Sequence, residues 1–467
     1  MAYFYNKHYI PLKSYLIPFN KGQITNLNYI PKSIYNLTGY KTQILTNVPY
    51  KLVDDFFFLL ISTLLIILFF LGYKVVQSNK VSQSEIINGA VIFSVLMAIS
   101  IPSHSSDLYG YIARGVQQAL YHQNPYVDIV SKIQNYKFDP LLCNFMWPDQ
   151  PTTYGPVFIY LTKVIVSLSE NNFFISFINF KLLNLTAYFL LVLFVLKLNK
   201  TKDLYLIAWN PLILIQGLWN CHNDLISGVL IFVGMYMILK STNKNKYFWG
   251  IFSLVIAAGI KYASILIIPI IIFHLLQNKL KKQIFLDLFL GLCSGLLLVL
   301  IFSIDYLIPF CSHRLCELKE ITSNIGLVHQ SLIAAIFTGI KYYCKHLNIN
   351  CDLNYSLFLL KILFYSGFVA FYMTVLLKKK KDLTYEIILI LFIFLSFILA
   401  KFHSWYLLNL VVLIPLLNGG ILKKILVALS LSHVYSLTFL DQAKIINFLF
   451  MTLFPTIFVW LKERNKK

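Results

Sequence analysis

The feature that most constrains the fold is a series of apolar runs, roughly 15 to 25 residues each, recurring from Phe56 almost to the C-terminus. A soluble helix of that length would carry a polar face, whereas these runs are apolar all round, as helices facing lipid or buried in a bundle must be. Composition agrees: 58% of the 467 residues are hydrophobic and 13% are charged, and mean hydropathy is +0.70. The chain reads as all-α, a polytopic transmembrane helical bundle of about 11 to 13 spans occupying residues 55–467. Residues 1–54, rich in Tyr, Asn and Lys, hold no run long enough to cross and form a polar tail without an assigned role. No apolar segment precedes a small-residue cleavage site near the N-terminus, so insertion is expected to use the first apolar helix.

The formal charge of +21 invites a nucleic-acid reading, but the lysines sit in short clusters between apolar runs and form no basic domain. Positive-inside topology and contact with anionic lipid account for them, and no nucleic-acid partner is expected. If the helices alternate, the C-terminal LKERNKK, Lys423 and Lys424, Lys378 to Lys381, Lys279, Lys281 and Lys282, Lys244 and Lys246, and Lys197, Lys200 and Lys202 fall on one side, read as cytoplasmic. The other side receives three polar loops, at 103–154, 220–224 and 309–355. The first spans are expected at 56–76 and at 90–102, the second extended back to Ile86. Counting the apolar stretch 155–169 as a crossing would reverse the first loop, so it is expected to be a juxtamembrane or partly inserted helix.

Six of the seven cysteines, all but Cys293, fall in or beside the loops of that second side. In an oxidising compartment Cys311 with Cys316 and Cys344 with Cys351 are the nearest pairs to bridge, although free thiols satisfy the sequence equally.

The first loop opens with HSSDLYGYIARGVQQALYHQNPY, from His104 to Tyr126. Ser105, Ser106 or Asp107 can cap an amphipathic helix over 108–120, where a carboxylate suits the positive helix end. The same carboxylate, held at a membrane boundary, can also be aimed into a cavity.

Asp107-Leu108-Tyr109-x-Tyr111 with Gly115, then Asn124-Pro125-Tyr126, then Trp147-Pro148 ahead of Tyr154-Gly155-Pro156, resembles the first extracytoplasmic loop of GT-C glycosyltransferases. More specifically, it is similar to that of the polyprenol-phosphate-mannose-dependent α-1,6-mannosyltransferases. The resemblance continues through Asn210-Pro211, Gly217, His222-Asn223-Asp224 and Gly259-Ile260-Lys261, and thus covers residues 107–261. It implies a GT-C fold with juxtamembrane helices on a catalytic loop at 103–154. It also implies an integral plasma-membrane enzyme, active on the extracytoplasmic face, that moves a hexose, mannose by analogy, from a polyprenyl-phosphate donor to an envelope glycan or glycolipid with inversion. Many members carry a further acidic residue before the loop glycine; here Arg114 stands there, which argues against a two-carboxylate scheme.

Glycosyl transfer needs a base for the acceptor hydroxyl and cations for the departing phosphate. Asp107 is the expected base. Arg114, His222, Asn223, Asp224, Lys261, Tyr109 and Tyr154 are expected to bind donor phosphate or sugar, and Trp147, His403 and Trp405 are candidate aromatic platforms or interfacial anchors. The HND turn and Arg114 also have plain readings, as a helix cap and a snorkelling cation. No metal and no cofactor is expected, since no second His or Asp stands at ligand spacing. The rival from another class is a multi-pass sugar-lipid transporter or flippase, which would place its ionisable residues near the bilayer midplane, often in internal repeats; the conspicuous polar residues here cluster in loops.

Overall fold

The computed structural model describes residues 50–102, 105–277, 282–313, 331–347, 351–378, 382–437 and 447–465. Most of the polar tail, His104, Lys279, Lys281, Lys379 to Lys381 and any bridge between Cys311 and Cys316 lie outside the described residues. The described residues are helical without a β-strand, because an apolar chain in lipid must satisfy its backbone within each segment.

Among the described residues four helices are long and apolar enough to cross a bilayer: Phe57–Gln77 within α1 (Tyr50–Gln77), Phe173–Leu196, Lys282–Ile304 and Leu353–Leu377. A fifth crossing exists if the pair Ile213–Trp219 and Asp224–Lys240, bent by 116°, is one broken span. Six further apolar helices are only 10–17 residues long, so apolar runs and full-length helices do not correspond one to one. Side chains such as Leu68 and Leu363 remain 57% and 66% exposed, a surface that only hydrocarbon would cover without penalty.

The bundle has two chemically distinct ends. α2 (Gln83–Ile99) leads to α3 (Asp107–Ala119), the amphipathic loop helix, and then to α4 (Pro156–Leu168). At 13 residues, α4 spans about 20 Å, less than the ~30 Å hydrocarbon core. It starts where Gly155 N–H donates to the Ile260 carbonyl (3.1 Å) and ends where Ser169 Oγ accepts from Asn179 in α5 (Phe173–Leu196). Because Phe173, the start of α5, packs on Tyr109 of α3, both ends of α4 lie at the α3 end of the bundle, as a juxtamembrane helix requires.

α5 then runs 24 residues, about 36 Å, to Lys197 and Lys200 at the opposite end. From there α6 (Thr201–Ala208) and the π-helical turn Ile213–Trp219 return to the His222 turn, α7 (Asp224–Lys240) goes back to Lys240, and α8 (Lys246–Ile260) returns to Lys261. α9 (Ile267–Gln277), α10 (Lys282–His313), α11 (Leu332–His346), α12 (Leu353–Leu377) and α13 (Leu383–Ile393) follow. α14 (Gly420–Ser432) and α15 (Phe454–Arg464) finish the bundle, both with lysines at the end opposite α3. A disulfide joins Cys344 to Cys351, while Cys143 and Cys221 are free thiols, exposed and buried respectively.

Candidate active site

The Asp107 end holds a cavity of about 600 Å³ whose walls come from α3, the loop end at Trp147–Tyr154, Asp224, the turn at Lys261, and a late segment from Lys401 to Asn409. Asp107, Gly110 and Arg114 line it from one helical face, positions i, i+3 and i+7. Asp107 is the first residue of α3 and only 7% exposed. No side-chain cap is made by Ser106; instead Ser105 Oγ accepts from the Asp107 backbone N–H at 3.2 Å.

Asp107 Oδ2 lies 3.0 Å from His222 Nδ1, and His222 is fully buried. An ionised carboxylate only accepts, so the imidazole proton sits on Nδ1 in this bond. Burial raises the Asp107 carboxyl, but the hydrogen bond and charge of His222, the charge of Lys261 and the Tyr154 hydroxyl together hold it below its ordinary value. Burial and the Asp107 charge keep the Tyr154 hydroxyl well above its own, so at neutral pH Tyr154 is the donor and Asp107 the acceptor.

His222 is fixed from its other face by Trp405, whose ring stacks on it at 4.1 Å and 11°. Trp405 stacks in turn on His403 at 4.3 Å and 7°. The three rings form a continuous column that ends in the cavity, where Trp405 and His403 are part of the lining.

The second buried carboxylate, Asp224, opens α7 with 0% exposure. Its Oδ2 accepts from Lys261 Nζ and its Oδ1 from Asn409 Nδ2 at 3.0 Å. Lys261 Nζ also lies 4.4 Å over the Tyr406 ring. Paired, stacked and open to the cavity, Lys261 escapes the cost of a lone charge at the start of an apolar run.

Local backbone chemistry explains the placement. Asn210 Oδ1 accepts from the amides of Leu212 and Ile213 and Pro211 opens the turn that leads to Ile213–Trp219. Cys221 takes a left-handed φ of 61°, reversing the chain so that His222, Asn223 and Asp224 sit at the break. Lys181 Nζ donates to the carbonyls of Ser100, Leu218 and Trp219, satisfying the helix end before the turn. A Cβ on Gly155 would meet the Gly259 carbonyl oxygen at 2.2 Å, so only glycine lets the Tyr154-Gly155-Pro156 turn lie against the backbone just before Lys261.

Of the residues singled out in the sequence, Asp107, Arg114, Tyr154, Trp147, Asp224, Lys261, His403 and Trp405 share the cavity wall. Three do not. Tyr109 falls two positions from Asp107 on α3, on the far side of the helix, and stacks on Phe173 at 6.0 Å. His222 lies behind Asp107, and Asn223 accepts from the Tyr111 hydroxyl at 3.3 Å and donates its backbone N–H to it. Tyr109 thus packs on α5, while His222 and Asn223 stand behind the cavity wall, bonded to Asp107 and Tyr111.

Arg114 neither snorkels to water nor faces a carboxylate. It is 3% exposed, donates to Gln117 Oε1 and to the Gln150 carbonyl, and lies 4.9 Å over the Phe145 ring. Burial lowers its guanidinium to about 10, which leaves it cationic at neutral pH. Lys401, Tyr406 and Asn409 complete the wall without having been singled out as site residues. Asn409 stands alone in the apolar run LLNLVV, and a lone amide in such a run is the signal that marks it.

Residues 34–277 match the family described as alpha-(1->6)-mannopyranosyltransferase, N-terminal domain. The alpha-(1->6)-mannopyranosyltransferase A of Mycobacterium tuberculosis (strain ATCC 25618 / H37Rv) is 23% identical over 201 residues, covering 41% of this chain and 37% of that protein. The matched part is thus little more than a third of the relative. No solved structure matches the chain. Since the family match takes in more than half of the 467 residues, the chain belongs to the alpha-(1->6)-mannopyranosyltransferase family.

Proposed function

We propose that the protein is an integral-membrane, GT-C-type hexosyltransferase that moves mannose from a polyprenyl-phosphate donor to an envelope glycan or glycolipid on the extracytoplasmic face. The observation that carries this reading is the cavity whose wall buried Asp107 shares with the cations Lys261, Arg114 and Lys401. In the proposed step the acceptor oxygen attacks the anomeric carbon, the bond to the phosphate oxygen breaks, and polyprenyl phosphate leaves with the electron pair. Asp107 takes the acceptor proton. An ionised carboxylate has about four acceptor sites, so the bonds from His222 and Tyr154 leave room for a hydroxyl. The cations stabilise the charge that grows on the leaving phosphate, an interaction stronger in the transition state than before it.

The cavity wall is apolar on the side of Ile265, Leu266, Leu395 and Leu399, and Ile265 is half exposed, which suits a lipid tail entering sideways. Two independent features support the sidedness. The lysine-rich helix ends lie opposite the cavity, as cytoplasmic ends should, and the Cys344–Cys351 bridge sits a full α12 away from them, where an oxidising compartment is needed.

The test is transfer of labelled mannose from polyprenyl-phosphate mannose by the purified full chain in lipid. Transfer that Asp107→Asn abolishes supports the reading. Translocation of the sugar lipid without transfer, or transfer undiminished by that substitution, overturns it.

A further inference from the structure

The end of the bundle opposite Asp107 holds a second cavity, of about 930 Å³, that the proposed chemistry does not use. Five lysines line it, Lys200, Lys202, Lys423, Lys424 and Lys462, against two carboxylates, Asp203 and Glu463. Both carboxylates are already engaged: Lys423 donates to Asp203 at 2.5 Å, with Lys200 4.0 Å away, and Lys424 donates to Glu463 at 2.5 Å. Among the described residues neither Lys202 nor Lys462 has a carboxylate partner, so the cavity keeps an excess of positive charge.

A second feature points to an anion independently. The 13-residue α14 begins at this cavity, with Gly419 as its N-cap and Gly420 as its first residue, and both glycines line the cavity. It has no side-chain cap and no acidic residue in its first turn. Lys423 and Lys424 follow directly, at the helix end whose dipole disfavours cations and favours anions. A Cβ on either glycine would meet nothing within 4 Å, so the helix start faces open space. Beside this polar floor stand Phe70 and Phe458, 48% and 66% exposed, which gives an apolar wall continuous with the lipid-facing surface.

We infer that this cavity binds the phosphate headgroup of an anionic phospholipid, with the start of α14, Lys202 and Lys462 holding the phosphate and Phe70 and Phe458 lying along the acyl chains. A soluble anion would use the floor and leave the aromatic wall uncovered; a phospholipid covers both. The inference goes beyond the proposed transfer reaction and is independent of it.

The full chain is delipidated in detergent and offered equimolar phosphatidylglycerol and phosphatidylcholine, and the retained lipid is counted by native mass spectrometry. Two lysines without a carboxylate partner among the described residues, near the headgroup, correspond to a preference for phosphatidylglycerol of roughly 30-fold. Lys202→Ala combined with Lys462→Ala is expected to bring that preference to within about twofold, whereas Lys→Arg at both positions keeps it. Lys244→Ala, at the same end but outside the cavity, is expected to keep it too. If the double variant does not purify, Lys202→Gln and Lys462→Gln singly are expected to lower the preference by part of that amount. Equal retention of both lipids by the unmodified chain, equal loss in the Lys244→Ala control, or displacement of phosphatidylglycerol by inorganic phosphate at similar concentration overturns the inference.

Discussion

The two ends of the bundle use the same residue types to opposite effect. At the Asp107 end the two carboxylates of the cavity are buried and each faces a titratable side chain, His222 for Asp107 and Lys261 for Asp224. At the lysine-rich end the pair Lys424 and Glu463 is 50% and 21% exposed, and cations outnumber carboxylates. Exposed pairs contribute little, on the order of 0–1 kcal/mol, whereas removing one member of a buried pair costs about 3–5 kcal/mol because the other is left uncompensated. The lysine-rich end also has one largely buried pair, Lys423 with Asp203, at 16% and 6% exposed, so the contrast between the ends rests on the exposed Lys424–Glu463 pair.

The sharpest way to break this contrast is at Asp107. Asp107→Asn keeps the shape and removes the proposed base, and kcat for the proposed mannose transfer is expected to fall by roughly 10³-fold with little change in KM. Next comes Lys261→Ala, expected to lower kcat by about 10²-fold and, by stranding Asp224, to lower the melting temperature as well; a variant that melts like the parent would show the pair to be no more costly than an exposed one. Gly155→Ala tests the backbone contact, since its methyl group meets the Gly259 carbonyl, and a loss of roughly 1–3 kcal/mol of stability is expected in thermal unfolding.

His222→Phe keeps the stack on Trp405 but deletes the hydrogen bond to Asp107. With that bond gone, burial dominates and the acid limb of the activity profile is expected to move to higher pH. The sign for stability follows the same logic. Asp107 is held below its ordinary value near 3.8, so its contribution is present above that pH and lost as pH falls through the folded value; the variant should lose this acid-side dependence. The smallest effect is expected at the other end, where Lys244→Ala should change transfer by less than about twofold.

How much was legible beforehand differs from residue to residue. Asp107, Asp224 and Lys261 stood out because ionisable groups beside apolar runs need a reason, and their motifs kept family order. The place of α4 at the α3 end of the bundle was legible from topology alone, since a crossing there would reverse the first loop. The orientation of Tyr109 was not, because α3 is buried all round from Asp107 to Gln118, so no exposed face marks which side chains turn to the cavity and which to α5. Asn409 was hidden by distance along the chain: it lies 185 positions from the Asp224 it contacts, and nothing local records such a pairing, whereas Lys401 and Tyr406 flank His403 and Trp405 in one short segment, KFHSWY. His222 was legible as a residue, but its contact with Asp107 was not, because a turn motif says where a side chain starts and not which group stands across from it.

The pairing of Asp224 with Lys261 also bears on how the chain is made. Synthesis is vectorial, and Asp224 enters the membrane 37 residues ahead of its cation and long before Asn409. A nascent chain stalled after α7 would hold a naked carboxylate at the end of a broken span, while one stalled after α8 would not. Until Lys261 follows α8, Asp224 has no cation to neutralise it, so the order of synthesis leaves one interval in which the carboxylate stands alone.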